Sequence, residues 1–449
     1  MKKIFQYIML AVVTIVMASC TSDIEETTAT TAKNNVQLVV GEFPAFGDSQ
    51  TRAIGTPDEG KTSWAEGDEL LLVIDNTSYG SHSATFTYNG KSWELTSGEL
   101  VYREGDPAYI PHVYYAPNYK LANTSLMLKK GKAAGTDEYI EGKAKITGNG
   151  ETITVSFAEA TRKYSRLRIA TLPNEQITVD TEYFTPAGSS DMEQNGNYTL
   201  TSDEKGNAYL YGTFENNSEV TVKYREAALT TYTFSQATES AKSYALDATV
   251  ISANSAEEIK SAIEQKVADG KTTIRLNLAP NAGTNEFMAI REAIKGAAPN
   301  DLGTIELTII GVETIPEEAF YKMLQLKSVR MSDVKEIKKY AFKECQYLTV
   351  VEAPSLNKLY SGAFKKCDQL SKLTFGPINY ADARYWPIFE YITPNIDLIL
   401  SDYQKEMIET DDYLYTANND RDYAGSDEHN SKNFLGREFK SITCRYPVE

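Results

Sequence analysis

The chain has 449 residues, 41% of them hydrophobic and 24% charged, with 45 basic against 62 acidic side chains and a formal net charge of −17. That length exceeds one ordinary core and predicts two or three domains, while the composition excludes a disordered chain. The acidic balance excludes nucleic acid as a partner, because phosphates would be repelled over most of the surface.

The N-terminus, "MKKIFQYIMLAVVTIVMASC", places two lysines before an apolar run and small residues before a cysteine. Residues 1–19 therefore read as a secretory signal, since the apolar run is too short for a spanning helix and no stop-transfer cluster follows. Met17-Ala18-Ser19-Cys20 resembles the lipobox of bacterial lipoproteins. That resemblance implies cleavage before Cys20 and acylation of its thiol, several acyl chains then giving stable anchoring. The acidic "TSDIEE" that follows resembles the surface-export signal of lipoproteins in gut and oral Gram-negative anaerobes, which implies an outer-membrane anchor with the protein facing outward. Residues 20–35 are polar and threonine-rich and predict a tether.

From 36 to 250 the pattern is all-β. Val36, Leu38 and Val40 alternate, as do Ile153, Val155 and Phe157, and Val220, Val222 and Tyr224. "TGNGET" at 147–152 and "DEKGN" at 203–207 predict hairpins, and "NGKSW" at 89–93 is a third turn. It is not a phosphate loop, because Thr85 stands where the first glycine would be. One or two sandwich lobes follow, divided near 161–173. "TRAIG", "KTSWAEGDELLLV", "HVYYAPN" and "FAEATRKYSRLRIATL" together resemble the fimbrillin-like surface proteins of the same anaerobes, with Glu159 where that pattern has histidine. The resemblance implies transthyretin-like β-sandwich lobes and a lipid-anchored precursor. It also implies a candidate processing site after Arg52, where cleavage releases a strand and opens a groove for a neighbouring subunit's strand.

A different texture fills 251–449. Ser255 and Glu258 form a capping box, Ile259, Ile263 and Val267 keep helical spacing, and Gly270 ends the helix before a strand near 273–278. A second helix at 286–295 and a strand at 304–310 complete an N-terminal cap, 255–310. Residues 311–376 hold three 22-residue units: "GVETIPEEAFYKMLQLKSVRMS", "DVKEIKKYAFKECQYLTVVEAP" and "SLNKLYSGAFKKCDQLSKLTFG". Alanine, phenylalanine and leucine columns align, with Phe320, Phe342 and Phe364 predicted to stack in one buried column. Period and pattern resemble the BspA-like leucine-rich repeats of bacterial surface proteins, which implies an α/β solenoid. Residues 377–449 are its C-terminal cap, with strands at 395–401 and 439–444.

Cys345 and Cys367 share one repeat column with Met323, and methionine cannot stand in for a zinc thiolate. Side chains stacked on neighbouring rungs run parallel, which disfavours a disulfide, so buried free thiols are expected. The acidic stretch 409–430 fits an EF-hand poorly, with Ala424 and Ser431 where ligands belong. The three histidines, His82, His112 and His429, form no catalytic or metal motif, and no nucleophile elbow occurs. The expectation is a chain that is not an enzyme and needs no metal or cofactor.

Strand alternation in "LKSVRM", "LTVVEA" and "LSKLTF" sends Val329 and Met331 inward. Ser328, Val350 and Lys372, and beside them Arg330, Glu352 and Thr374, then point outward as a candidate ligand face. The functional expectation is a lipid-anchored surface binding or adhesion protein whose β-sandwich stalk presents this face to a protein or glycan on host or neighbouring cells. The alternatives are a fimbrial accessory or tip subunit assembled with other fimbrial subunits by strand exchange, and a surface glycan-binding protein.

Overall fold

The computed structural model describes residues 36–48, 60–74, 81–98, 111–143, 145–148, 153–157, 162–253, 255–382, 387–392, 395–401, 433–435 and 437–445. Cys20, the signal and tether segments, Arg52 and the acidic stretch 409–430 lie outside the described residues. The described residues are mostly strand, with two helices, neither long and apolar enough to cross a membrane.

In the first β region, an antiparallel sheet of five strands runs in the order Trp93–Gly98, His82–Tyr88, Glu69–Ile74, Pro111–Tyr115 and Ile140–Lys143. The predicted turns at 89–93 and 147–152 do join antiparallel neighbours. In the first of them, Asn89 Oδ1 accepts the backbone N–H groups of Lys91 and Ser92. A three-stranded sheet containing Val36–Val40 meets the five-stranded one over a core of Phe43, Leu70, Leu72, Phe86, Val113 and Phe157. The second β region has its own core, built on Leu167, Ile169, Val179, Phe184, Leu210, Phe214 and Val222. Strand Gly47–Asp48 crosses from the first region to pair, parallel, with Lys242–Asp247 of the second.

One predicted hairpin is corrected. Glu193–Thr201 pairs with Gln176–Pro186, and Asn207–Phe214 leaves to pair with Ser165–Ala170. The turn at 203–207 is locally tight, with Asp203 Oδ1 accepting from Lys205 and Asn207. Its exit is set by Gly206, at φ +81°, whose carbonyl accepts the Thr171 N–H at 2.7 Å. The chain is thus steered towards a different neighbour, a tertiary choice that turn chemistry does not encode.

In the repeat region, each unit contributes one strand to a parallel eight-stranded sheet and one short strand to a parallel four-stranded sheet. Neighbouring units pair in register, Ser328 with Val350 and Val350 with Lys372. Between the two sheets lie the fully buried rings of Phe320, Phe342 and Phe364, with centroids 5.1 and 5.4 Å apart and planes within 22° and 7° of parallel. The column does not stop where the sequence period does. Phe389, 25 residues after Phe364, stacks on it at 5.6 Å and 7°, and strand Asp397–Ser401 pairs with Lys372–Phe375. At the other end Phe287, from helix Thr284–Ala297, meets Phe320 edge-on. Helix Ala256–Ala268 begins at Ser255, whose side chain accepts the Glu258 N–H, and it buries Ile259 and Ile263 in the same core.

The turn after each short strand holds two left-handed residues four apart: Glu318 and Lys322, Tyr340 and Glu344, Gly362 and Lys366. Between the second β region and the repeat the chain leaves strand Lys242–Asp247 and enters strand Ile251–Ala253 after Ala248, Thr249 and Val250 alone. The joint is closed by side chains. Ile310 of the repeat sheet is buried in the second β core, and Lys266 Nζ donates to Thr249 Oγ1 at 2.6 Å.

Candidate ligand-binding face

Two columns of outward positions run across the long-strand sheet. One reads Glu306, Ser328, Val350, Lys372, Asp397, Ser441; the other reads Arg275, Thr308, Arg330, Glu352, Thr374, Ile399, Thr443. Because Val329, Val351, Leu373 and Leu398 between them fill the core, alternation leaves these columns free of packing duties.

The face is nevertheless not open along its whole length. Arg275 is 7% exposed, its Nε donating to the Leu229 carbonyl at 2.5 Å and its Nη1 lying 3.9 Å from Asp247. Burial lowers the Arg275 pKa, while Asp247 opposes that shift. Thr308 and Ile310 are buried beside it, so the second β region covers the start of the Arg275 column, while Glu306 in the other column stays half-exposed. Accessible surface begins near Arg330. There Arg330 Nε meets Glu352 Oε2 at 2.9 Å, Lys327 meets Glu306 at 2.8 Å and Lys440 meets Asp397 at 2.8 Å. Such partly exposed pairs contribute about 0–1 kcal/mol each, so the sheet does not depend on them.

Of the six residues expected to form the face, Lys372 is exposed and Val350, Arg330, Glu352 and Thr374 are half-exposed. Ser328 is corrected to buried, at 8% exposure. Its short side chain is set between those of Glu306 and Val350 and cannot reach past them. The face also includes Asp397, Ile399, Ser441 and Thr443, which sequence reasoning did not place on it. The usable signal was the alternation in "NIDLILS", where Ile396, Leu398 and Leu400 are buried.

The two repeat cysteines are buried free thiols. Cys345 Sγ donates to the Phe320 carbonyl and Cys367 Sγ to the Phe342 carbonyl, each at 3.0 Å. Burial pushes the Cys345 thiol up to about 12 and raises that of Cys367 as well. Among the described residues no cluster of three or more histidine, cysteine, aspartate or glutamate side chains could hold a metal ion.

Comparison with known proteins bears on the repeat directly. The family described as BspA type leucine-rich repeat region matches residues 302–387, the stretch that carries Phe320, Phe342 and Phe364. No curated relative matches the chain. Among solved structures, a candidate cell-adhesion protein of Bacteroides fragilis is similar over 48% of this chain and 93% of its own, at 10% identity and a TM-score of 0.30. The minor pilin of Streptococcus agalactiae is similar over 48% of this chain and 94% of its own, at 8% identity and a TM-score of 0.18.

Proposed function

We propose that the chain is a cell-surface binding protein of the adhesion class, anchored through acylated Cys20 in the outer membrane, whose β regions form a stalk for a leucine-rich-repeat solenoid. The observation that carries this reading is the division of labour within each repeat strand. Inward positions build one continuous core, while outward positions from Arg330 onward stay accessible and contribute little to stability. Recognition residues can vary on such a surface without unfolding it. The role is binding rather than catalysis, with an extended protein or glycan partner lying across the rungs.

Cells displaying the full chain, tested on host-cell monolayers, check this. Replacing Arg330, Glu352 and Lys372 together with alanine should reduce adhesion while leaving the melting temperature unchanged. Undiminished adhesion would move the binding surface elsewhere, and undiminished adhesion after deletion of 311–376 would end the adhesin reading.

One observation favours a second reading, a fimbrial accessory or tip subunit. Strands Val36–Val40 and Gly47–Asp48 both precede Arg52 and serve two different sheets. Cleavage after Arg52 would strip a strand from each and remove Phe43 from the first core, leaving room for a donated strand. Mass spectrometry of the mature surface protein decides it by the presence or absence of a new N-terminus at Ala53.

A further inference from the structure

A cleft of 660 Å³ opens where the second β region meets the loops that join the repeat's two sheets. Its polar lining is Arg225 from the β region and Glu313, Thr314, Asp333, Lys335 and Ser355 from three successive rungs, with Pro280 and Ala282 as the apolar part; the Glu313 charge is taken up by Lys335, which leaves Arg225 as the cation available to a ligand. The volume falls in the range of small-ligand sites, and such sites favour domain junctions.

The cleft wall is fixed by backbone. Gly311 sits at φ +89°, where a Cβ would come within 2.3 Å of the Leu278 carbonyl, and its N–H donates to Asp333 Oδ2 at 2.8 Å. Lys335 is held by Glu313 at 2.5 Å. Arg225 differs from both. It stacks on Tyr224 at 5.0 Å but forms no ion pair with a carboxylate among the described residues.

Its backbone is also unusual. Tyr224 pairs with Ala227, so Arg225 and Glu226 are the two central residues of a tight hairpin, at φ +47° and +67°. Both positions of such a turn favour asparagine or glycine, and an arginine there is held against its own conformational preference.

We propose that this cleft binds an acidic oligosaccharide, with a sugar carboxylate on Arg225 and ring hydroxyls on Thr314, Asp333 and Ser355. A guanidinium without a carboxylate partner supplies the charge-assisted bond, and the mixed donors and acceptors beside it match a polyol. An acidic peptide fits less well, because the lining offers no deep apolar pocket for a side-chain anchor. The site is separate from the outward face of the long-strand sheet and does not depend on that face being a binding surface.

Titration calorimetry on the intact chain tests the proposal with three probes: a galacturonic acid hexamer, maltohexaose and hexaglutamate. The galacturonic acid hexamer should bind, with maltohexaose and hexaglutamate at least tenfold weaker. Arg225→Asn keeps a residue suited to the left-handed turn and removes the cation, and it should weaken the hexamer at least tenfold. The triple alanine variant at Arg330, Glu352 and Lys372 should bind the hexamer as the parent does. Unchanged affinity in Arg225→Asn, equal binding of maltohexaose or hexaglutamate, loss in the triple variant, or no measurable binding of the hexamer would each overturn the assignment.

Discussion

Phe342→Ala removes the middle ring of the repeat's phenylalanine column. The side chain is fully buried and loses two stacked partners at once, Phe320 at 5.1 Å and Phe364 at 5.4 Å. Phenylalanine-to-alanine changes in cores cost about 3–5 kcal/mol, and ring pairs contribute about 0.5–1.5 kcal/mol each beyond their area. With a partner on both faces, Phe342 belongs in the upper half of that range, at about 4 kcal/mol. Phe439 meets the column edge-on at Phe389, at 5.7 Å, and its replacement should cost about 3 kcal/mol. Cys367 is a local reporter, buried on the next rung and bonded to the backbone carbonyl of residue 342. When reclosing outpaces labelling, its modification rate follows the opening free energy. A loss of about 4 kcal/mol should therefore speed labelling of Cys367 by about a thousandfold, since each factor of ten corresponds to about 1.4 kcal/mol. An acceleration of less than about fivefold, equivalent to about 1 kcal/mol, would refute the claim that the column carries the repeat's stability.

Native Cys345 and Cys367 should resist a bulky maleimide and react fully after denaturation without reductant, which peptide-resolved mass spectrometry reads; a requirement for reductant would show a disulfide. Gly362→Ala places a Cβ 2.5 Å from the Tyr340 ring at φ +62° and should cost about 1–2 kcal/mol in a urea titration, part of it recovered in the double variant with Tyr340→Ala. Glu336 is held below the usual carboxylate range by hydrogen bonds from Lys338 and Lys358. Its contribution is therefore present at neutral pH and lost as pH falls through that lowered value, so Glu336→Gln should cost no more than about 1 kcal/mol at pH 7 and nothing in strong acid.

The repeat was legible because its core positions recur every 22 residues, and a one-dimensional stack turns sequence period directly into spatial column. Phe389 escaped the same reading because extra residues put it 25 positions after Phe364, and a fixed-period alignment loses register at that step. The turn at 203–207 misled for the opposite reason: its local chemistry is that of a hairpin, but the partner of Asn207–Phe214 is chosen by the sheet it joins. Least legible was the covered end of the candidate face. Arg275 reads as a solvated strand residue and Ile310 as an ordinary core residue, yet one is buried against the Leu229 carbonyl and the other fills a core belonging to a different part of the chain. No periodicity within a repeat announces that its first strands will be docked upon. Ser328 was illegible in a smaller way: its column could be read from the alternation, but not how deeply its short side chain sits between Glu306 and Val350.

The three-residue crossing at Ala248, Thr249 and Val250 has a mechanical meaning. A long hinge would let the repeat swing, and a tug on its far end would first straighten the hinge. Here Ala248 is fully buried, Ile310 is lodged in the neighbouring core and Arg275 is bolted to the Leu229 carbonyl, so no slack exists to take up. A load applied near Asp397 or Ser441 is delivered as torque to the second β region, with the eight-stranded sheet acting as a lever arm. Tension therefore reaches the packed joint directly, with no linker to straighten first, and the accessible face keeps its orientation for as long as Ile310 and Arg275 hold.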